Sequence, residues 1–166
     1  IVVATSDREI DDPIYEFVVS EGISVFRGPA DDVAGRALAC AEKYRFNRFV
    51  RITGDSPFFD PEILYQLRDV AINNDLDLAT NVFPRSYPIG SSGEIVASRA
   101  LRKLLQVTND AADREHVTRY FYRHPDKFRI QNISARDNRY LGLSVSVDLP
   151  GDLDRASWII DNLQKP

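Results

Sequence analysis

The chain has 166 residues, a length that suits one compact domain, and its hydrophobic content of 43% is enough to bury a core. A net charge of −4 gives no basic footprint for nucleic acid, although an acidic protein still binds a polyanionic nucleotide where a divalent metal mediates. The single cysteine excludes an internal disulfide framework and fits a reducing cytoplasm, and no apolar run approaches the roughly 20 residues that cross a bilayer.

Ile1 to Ala4 is an apolar run that ends in Thr5-Ser6-Asp7, a strand feeding a loop. Asp11-Asp12-Pro13 starts a helix with Ile14, Phe17 and Val18 on one face, and Glu21-Gly22 ends it. Ile23, Val25 and Phe26 form a second strand, closed by Arg27-Gly28-Pro29. Asp31 or Asp32 then caps a helix with the stripe Val33, Ala37, Leu38, Ala41 and Tyr44, in which Cys40 reads as a buried structural thiol.

The central stretch runs from Arg48 to Pro61. Phe49, Val50 and Ile52 are strand formers, Gly54 permits a sharp turn, Asp60 is a helix N-cap and Pro61 suits the first helical position. That helix buries Ile63, Leu64, Leu67, Val70 and Ala71. Leu76 to Val82 is the next strand. Alternation of strand and helix implies right-handed crossovers and a largely parallel sheet with helices on both faces, a three-layer α/β/α architecture.

The second half changes character. Pro84, Pro88, Gly90 and Gly93 punctuate a loop before a short strand at Glu94-Ile95-Val96. Ser98 to Val107 and Asp113 to Arg123 are predicted helices. Phe128, Ile130 and Ile133 suggest a strand, and Leu141, Leu143, Val145 and Val147 alternate as another, together a small β-rich extension that could supply a homodimer interface. A final helix starts near Asp152 and is predicted to bury Leu153, Ala156, Ile159, Ile160 and Leu163. The chain has no methionine and opens in mid-strand, so a segment ahead of Ile1 is expected.

Two carboxylates stand out. Asp55 follows the central strand and Asp148 follows Val145-Ser146-Val147, and ligands of open α/β sheets bind beyond strand carboxyl ends. Two such carboxylates can share a magnesium ion, which takes one or two carboxylates plus phosphate oxygens and waters. On spacing alone the alternative stays open that Asp55 sits in a plain turn, Asp148 is a loop acid and Asp152 a helix cap. The two histidines lack metal-type spacing, against a zinc site.

Ordered motifs then accumulate: Val2-Val3-Ala4-Thr5-Ser6, Asp11-Asp12, Phe26-Arg27-Gly28 with Asp32-Val33, Arg51-Ile52-Thr53-Gly54-Asp55-Ser56-Pro57 with Asp60-Pro61, Tyr87-Pro88 with Gly90 and Glu94, Arg114-Glu115-His116-Val117-Thr118, Val147-Asp148-Leu149-Pro150 and Asp152-Leu153. Nearly end to end, the chain resembles cytidylyltransferases of the spore-coat-polysaccharide type, related to acylneuraminate and deoxy-octulosonate (KDO) cytidylyltransferases. The resemblance implies a Rossmann-like nucleotide-diphospho-sugar transferase fold. The implied reaction is Mg²⁺-dependent transfer of CMP from CTP to a sugar or sugar acid, with release of pyrophosphate.

By that resemblance Asp55 and Asp148 are the catalytic metal ligands, and Gly54 and Ser56 bring backbone close to ribose and phosphate. Asp32 and Arg36 face the nucleotide, with a helix cap and a surface charge as their alternative reading. Arg114 is suited to a carboxylate or phosphate, and His116 to orienting substrate or a dimer contact, beside Glu115; a solvated helix face is the alternative. Tyr87 and Glu94 border the acceptor loop, and Arg51 supports the site or pairs with a neighbouring carboxylate.

The chain departs from the family pattern twice. The family's first strand and glycine- and basic-rich phosphate loop would precede Ile1, so the 166 residues are expected to be a single nucleotidyltransferase-like domain lacking them. Ser92 also stands where the family often carries an aspartate. Those departures favour the alternative of a non-catalytic sugar-nucleotide-binding or regulatory module. A glycosyltransferase is a weaker alternative, because Gly54-Asp55-Ser56-Pro57 is not an Asp-x-Asp metal motif.

Overall fold

Apolar β-branched runs become strands and amphipathic runs become helices, in the alternating order that the sequence implies. The computed structural model describes residues 1–137 and 139–163. Its elements are β1 (Val2–Ser6), α1 (Asp12–Ser20), β2 (Ser24–Gly28), α2 (Val33–Lys43), β3 (Arg48–Arg51), α3 (Pro61–Asn73), β4 (Leu78–Thr80), β5 (Glu94–Ala97), α4 (Ser98–Val107), α5 (Ala111–Glu115), α6 (Arg119–Arg123), β6 (Ile130–Asn132) and α7 (Pro150–Asn162). The chain divides into two compact units, Ile1–Phe49 with Ala97–Phe128, and Val50–Val96 with Arg129–Pro166.

In the first unit β1 and β2 pair in parallel, Val2 opposite Ser24 through Ser6 opposite Gly28. Parallel strands need a crossover, and α1 supplies it. Asp32, one of the two expected caps, starts α2: its carboxylate accepts from the Gly35 amide at 2.9 Å. α2 packs on α4, burying Ala34, Cys40 and Ala41 together with Ala100, Leu101 and Leu104. Burial pushes the Cys40 thiol up despite the Lys43 charge, which keeps it protonated and unreactive.

The predicted helix from Asp113 to Arg123 is instead two short ones. The chain leaves helical geometry at His116 (φ −103°, ψ 88°), and Val117 and Thr118 turn inward to burial. Asp113, only 1% exposed, explains the break. It accepts from the Thr108 hydroxyl at 3.0 Å, from Arg119 at 2.6 Å and from Arg123 at 3.3 Å, so one buried carboxylate draws in both arginines of α6.

The four-stranded sheet, most of whose residues belong to the second unit, is ordered β3-β5-β4-β6. β4 pairs antiparallel with β5 and parallel with β6. Asp60 caps α3, accepting from the Glu62 amide at 2.8 Å, with Pro61 next, as the sequence implies. α3 buries Ile63, Leu67 and Ala71 against Leu76, Ala79 and Ile95, and Phe59, Tyr87 and Ile133 pack on that cluster.

Two expectations fail here. The predicted strand from Leu141 to Val147 forms no ladder, only a bridge from Ser144 to Ile89, because its backbone bonds go to two different loops. In α7 Ala156 is buried, but Leu153 and Ile160 are exposed, as is Leu163 just past its end. The apolar spacing is helical; nothing among the described residues covers that side.

Candidate active site

The loop after β3 and the segment before α7 meet through backbone. The Val147 amide donates to the Asp55 carbonyl at 2.9 Å, so the residue before Asp148 is bonded to Asp55 itself. Each aspartate then has a serine beneath it. Ser56 Oγ donates to Asp55 Oδ1 at 3.0 Å and stands 3.1 Å from Thr53 Oγ1. Ser146 Oγ donates to Asp148 Oδ2 at 2.8 Å and stands 3.0 Å from Ser144 Oγ. Both serines are buried and both aspartates are exposed. The hydroxyls fix one oxygen of each carboxylate and leave the other toward solvent.

An extended backbone alternates its side chains. Ser144, Ser146 and Asp148 therefore share a face opposite Val145 and Val147. Sequence reasoning followed the apolar face and missed the two serines, whose signal was that same period of two. Asp152 completes the end of the segment. Its carboxylate accepts from the Asp148 and Leu149 amides at 3.1 and 3.0 Å, and those bonds hold it below the usual carboxylate range.

The Pro/Gly-rich loop from Tyr87 to Glu94 is stitched to the same segment. The Ile89 amide donates to the Leu143 carbonyl at 3.0 Å and the Val145 amide to the Ile89 carbonyl at 2.8 Å. Gly90 has φ +91°, and a Cβ there would lie 2.6 Å from the Ser146 nitrogen and 2.7 Å from the Val145 carbonyl carbon. Only glycine fits both the backbone angle and the gap. Gly90→Ala is expected to cost about 1–3 kcal/mol and to push the serine-bearing segment away. Denaturant unfolding checks the cost, and an unchanged midpoint refutes the close approach.

Gly54 behaves differently. It lies in a turn, but its φ is not in the left-handed region and an added Cβ would meet nothing within 4 Å. Gly54 does lie in the turn, which does not itself require glycine; what glycine leaves beside Asp55 is open space.

Arg51 and Glu94 face each other across β3 and β5, with Nη1 to Oε2 at 2.9 Å and Glu94 only 4% exposed. Pairing with a neighbouring carboxylate was one of the two expectations for Arg51. Tyr87 is half-buried against the α3 cluster, and burial, aided by the Asp60 charge, pushes its phenol up. Ser92, at the position of the family's aspartate, accepts from Arg85 at 3.0 Å.

The remaining candidates lie in the first unit. Asp32 caps α2 and also accepts from Arg114 at 2.6 Å, so those two residues hold each other. Arg36 donates to the Pro29 carbonyl at 2.7 Å. Glu115 and His116 are exposed at the end of α5.

No group of three or more Asp, Glu, His or Cys with metal-holding geometry occurs among the described residues. Asp55 and Asp148 offer two hard carboxylate oxygens on loops joined by a backbone bond. That donor set fits a magnesium ion, which fills its other positions with phosphate oxygens and water. It does not fit a metal that needs an all-protein cage.

The cytidylyltransferase family model matches residues 1–150. The chain belongs to the cytidylyltransferase family. This cytidylyltransferase-family chain is 35% identical over 138 residues to the spore coat polysaccharide biosynthesis protein SpsF of Bacillus subtilis, covering 81% of this chain and 55% of the relative. It is 32% identical over 130 residues to an uncharacterized protein of Methanocaldococcus jannaschii, covering 78% and 52%. The chain thus spans about half the length of the curated relatives it matches.

Among solved structures, a cytidylyltransferase from Leptospira borgpetersenii superposes with a TM-score of 0.91 at 31% identity, covering 98% of this chain and 69% of that one. A CMP:2-keto-3-deoxy-manno-octonic acid synthetase complexed with CTP shares the fold at a TM-score of 0.67 and 13% identity, covering 98% and 81%. The α/β architecture is therefore the Rossmann-like one expected. No helix among the described residues is long and apolar enough to cross a membrane.

Proposed function

We propose that this chain carries the metal-holding half-site of a CTP-dependent nucleotidyl transfer, moving CMP to a sugar or sugar acid for surface polysaccharide and releasing pyrophosphate. The observation that supports it is the 2.9 Å bond between the Val147 amide and the Asp55 carbonyl, which sets the two family aspartates on adjoining loops. The SpsF relative, by its name in spore coat polysaccharide biosynthesis, supports the pathway class. The CTP-complexed neighbour supports the fold's capacity for the nucleotide.

In the proposed step an acceptor hydroxyl oxygen bonds to the α-phosphorus of CTP. The bond from that phosphorus to the bridging oxygen of the β-phosphate breaks, and the hydroxyl proton passes to solvent. Such chemistry is mainly positioning and electrostatics. A magnesium ion, when bound, would neutralise charge on the α-phosphate and the leaving pyrophosphate.

The chain's own residues do the holding. Asp55 and Asp148 present one outward oxygen each, while Ser56 and Ser146 stop the carboxylates from rotating. Gly54 leaves room for ribose and phosphate. Tyr87 and Glu94 border the acceptor, with Glu94 neutralised by Arg51. Arg36, Glu115 and His116 are substrate-side candidates of the first unit. There Asp32 and Arg114 act on substrate only by parting from each other.

The test is pyrophosphate release by the full-length protein with Mg²⁺, each nucleoside triphosphate and a panel of sugar acids and sugar phosphates. CTP-specific release that needs one acceptor sustains the proposal and names the substrate. CTP binding without turnover across the panel points to the binding-module alternative. Gly54→Ala sharpens the assay. It should leave stability unchanged or raise it by about 0.4–1 kcal/mol, while raising KM for CTP. An unchanged KM would remove Gly54 from the nucleotide's path.

A further inference from the structure

The first unit contains a concave surface lined by neither aspartate. A hollow of about 620 Å³ is lined by Glu42, Arg45, Phe46, Arg48, Arg99 and Arg102, among others. That volume falls in the range of small-molecule sites. Four arginines, from just past α2, the start of β3 and the start of α4, line it together with one glutamate. The chain as a whole is acidic, at −4, so this gathering of arginines runs against its composition.

The hollow is a built feature. Ser98, 5% exposed, donates its hydroxyl to the Phe46 carbonyl, and its amide donates to the Asn47 carbonyl at 3.0 Å. Those bonds lock the turn after α2 onto the start of α4. Tyr44 and Phe46 stack at 5.7 Å, and the Phe46 ring remains 41% exposed at the rim. Arg45 has φ +58°, a left-handed angle that favours glycine, yet the position carries an arginine whose guanidinium makes no ion pair among the described residues. Arg102 is half-exposed and shares one oxygen of Glu42. Arg99 and Arg102 also sit in the opening turns of α4, whose dipole disfavours cations there and favours an anion.

We propose that this hollow binds the phosphate group of a small molecule, at a site separate from the one that holds Asp55 and Asp148. Planar guanidinium forks match phosphate oxygens two at a time, and several forks in one concavity favour a multiply charged phosphate over a single carboxylate. The open Phe46 ring gives an attached base or sugar a surface to lie on. A nucleotide, a sugar phosphate and free pyrophosphate share this chemistry.

The experiment is a titration of the isotope-labelled chain, without divalent metal, with inorganic pyrophosphate, with CMP and with glucose 1-phosphate. Arginine side-chain and residue 44–48 amide resonances report on the hollow, and the amides of Gly54 and Asp55 report on the other site. The expected result is saturable shifts at Arg45, Arg99 and Arg102 with a Kd below about 1 mM for at least one ligand. The ligand that saturates first names the source. Arg45→Gly should weaken that binding at least about tenfold without lowering the melting temperature, since glycine relieves the left-handed angle. Arg102→Gln should weaken it in the same direction. Shifts that never saturate, or binding unchanged in Arg45→Gly, overturn the proposal.

Discussion

Asp55→Asn is expected to lower CTP-dependent pyrophosphate release at least about 10²–10³-fold, the scale seen when one preorganised electrostatic group is lost. The substitution isolates charge from shape. Asparagine has the same volume, and its carbonyl still accepts from Ser56 Oγ, now 3.0 Å from Oδ1. The backbone carbonyl bonded to Val147 is untouched. Asp55 is exposed, so the melting temperature should not move. Asp148→Asn should act in the same direction, and the double variant should be little worse than either single one, because the two act as a unit. Turnover within about twofold of the parent would take Asp55 out of the mechanism.

Arg119→Ala is expected to produce the largest loss of stability, about 3 kcal/mol, or roughly 6–12 °C in melting temperature for a chain of this size. The reason is the 1% exposure of Asp113. Removing Arg119 strips that carboxylate of its 2.6 Å partner and leaves Arg123, at 3.3 Å, and the Thr108 hydroxyl to hold a buried charge. Arg123→Ala should cost less, because the longer bond belongs to a half-exposed side chain. Equal, small effects for both would mean that water reaches Asp113. Since Asp113 sits one residue before Arg114, the destabilised variant should also release the Arg114–Asp32 pair.

Much of this was legible from residue types and spacing. Asp60-Pro61 and Asp32 announced their helices, because capping depends on a side chain and the next three amides. The place of Asp55 just past a strand followed from an apolar run, whereas the strand expected before Asp148 did not form, and the ordered motifs gave the family. What escaped needed information from outside the local sequence. Ile14 and Phe17 have helical spacing like Val18, yet only Val18 is buried, since spacing names a face and not what covers it. Leu141 to Val147 has strand spacing but no continuous neighbour. Asp113 looked like one more acid at a helix start. Its role arises from where Arg119 and Arg123 fall after the break at His116. Gly90 and Gly54 look alike in sequence; one fills a contact and the other borders open space.

The bond between Val147 and Asp55 also sets when the two aspartates come together. The second unit is discontinuous, leaving at Val96 and resuming at Arg129, so its two carboxylates join only after the intervening chain has been made and folded away. Closing so long a loop costs little extra entropy per residue, but it slows the search. A nascent chain on the ribosome therefore holds Asp55 without Asp148 beside it. Under the function proposed above, a copy made only as far as the residues before Asp148 carries half of the donor set and sequesters neither nucleotide nor metal.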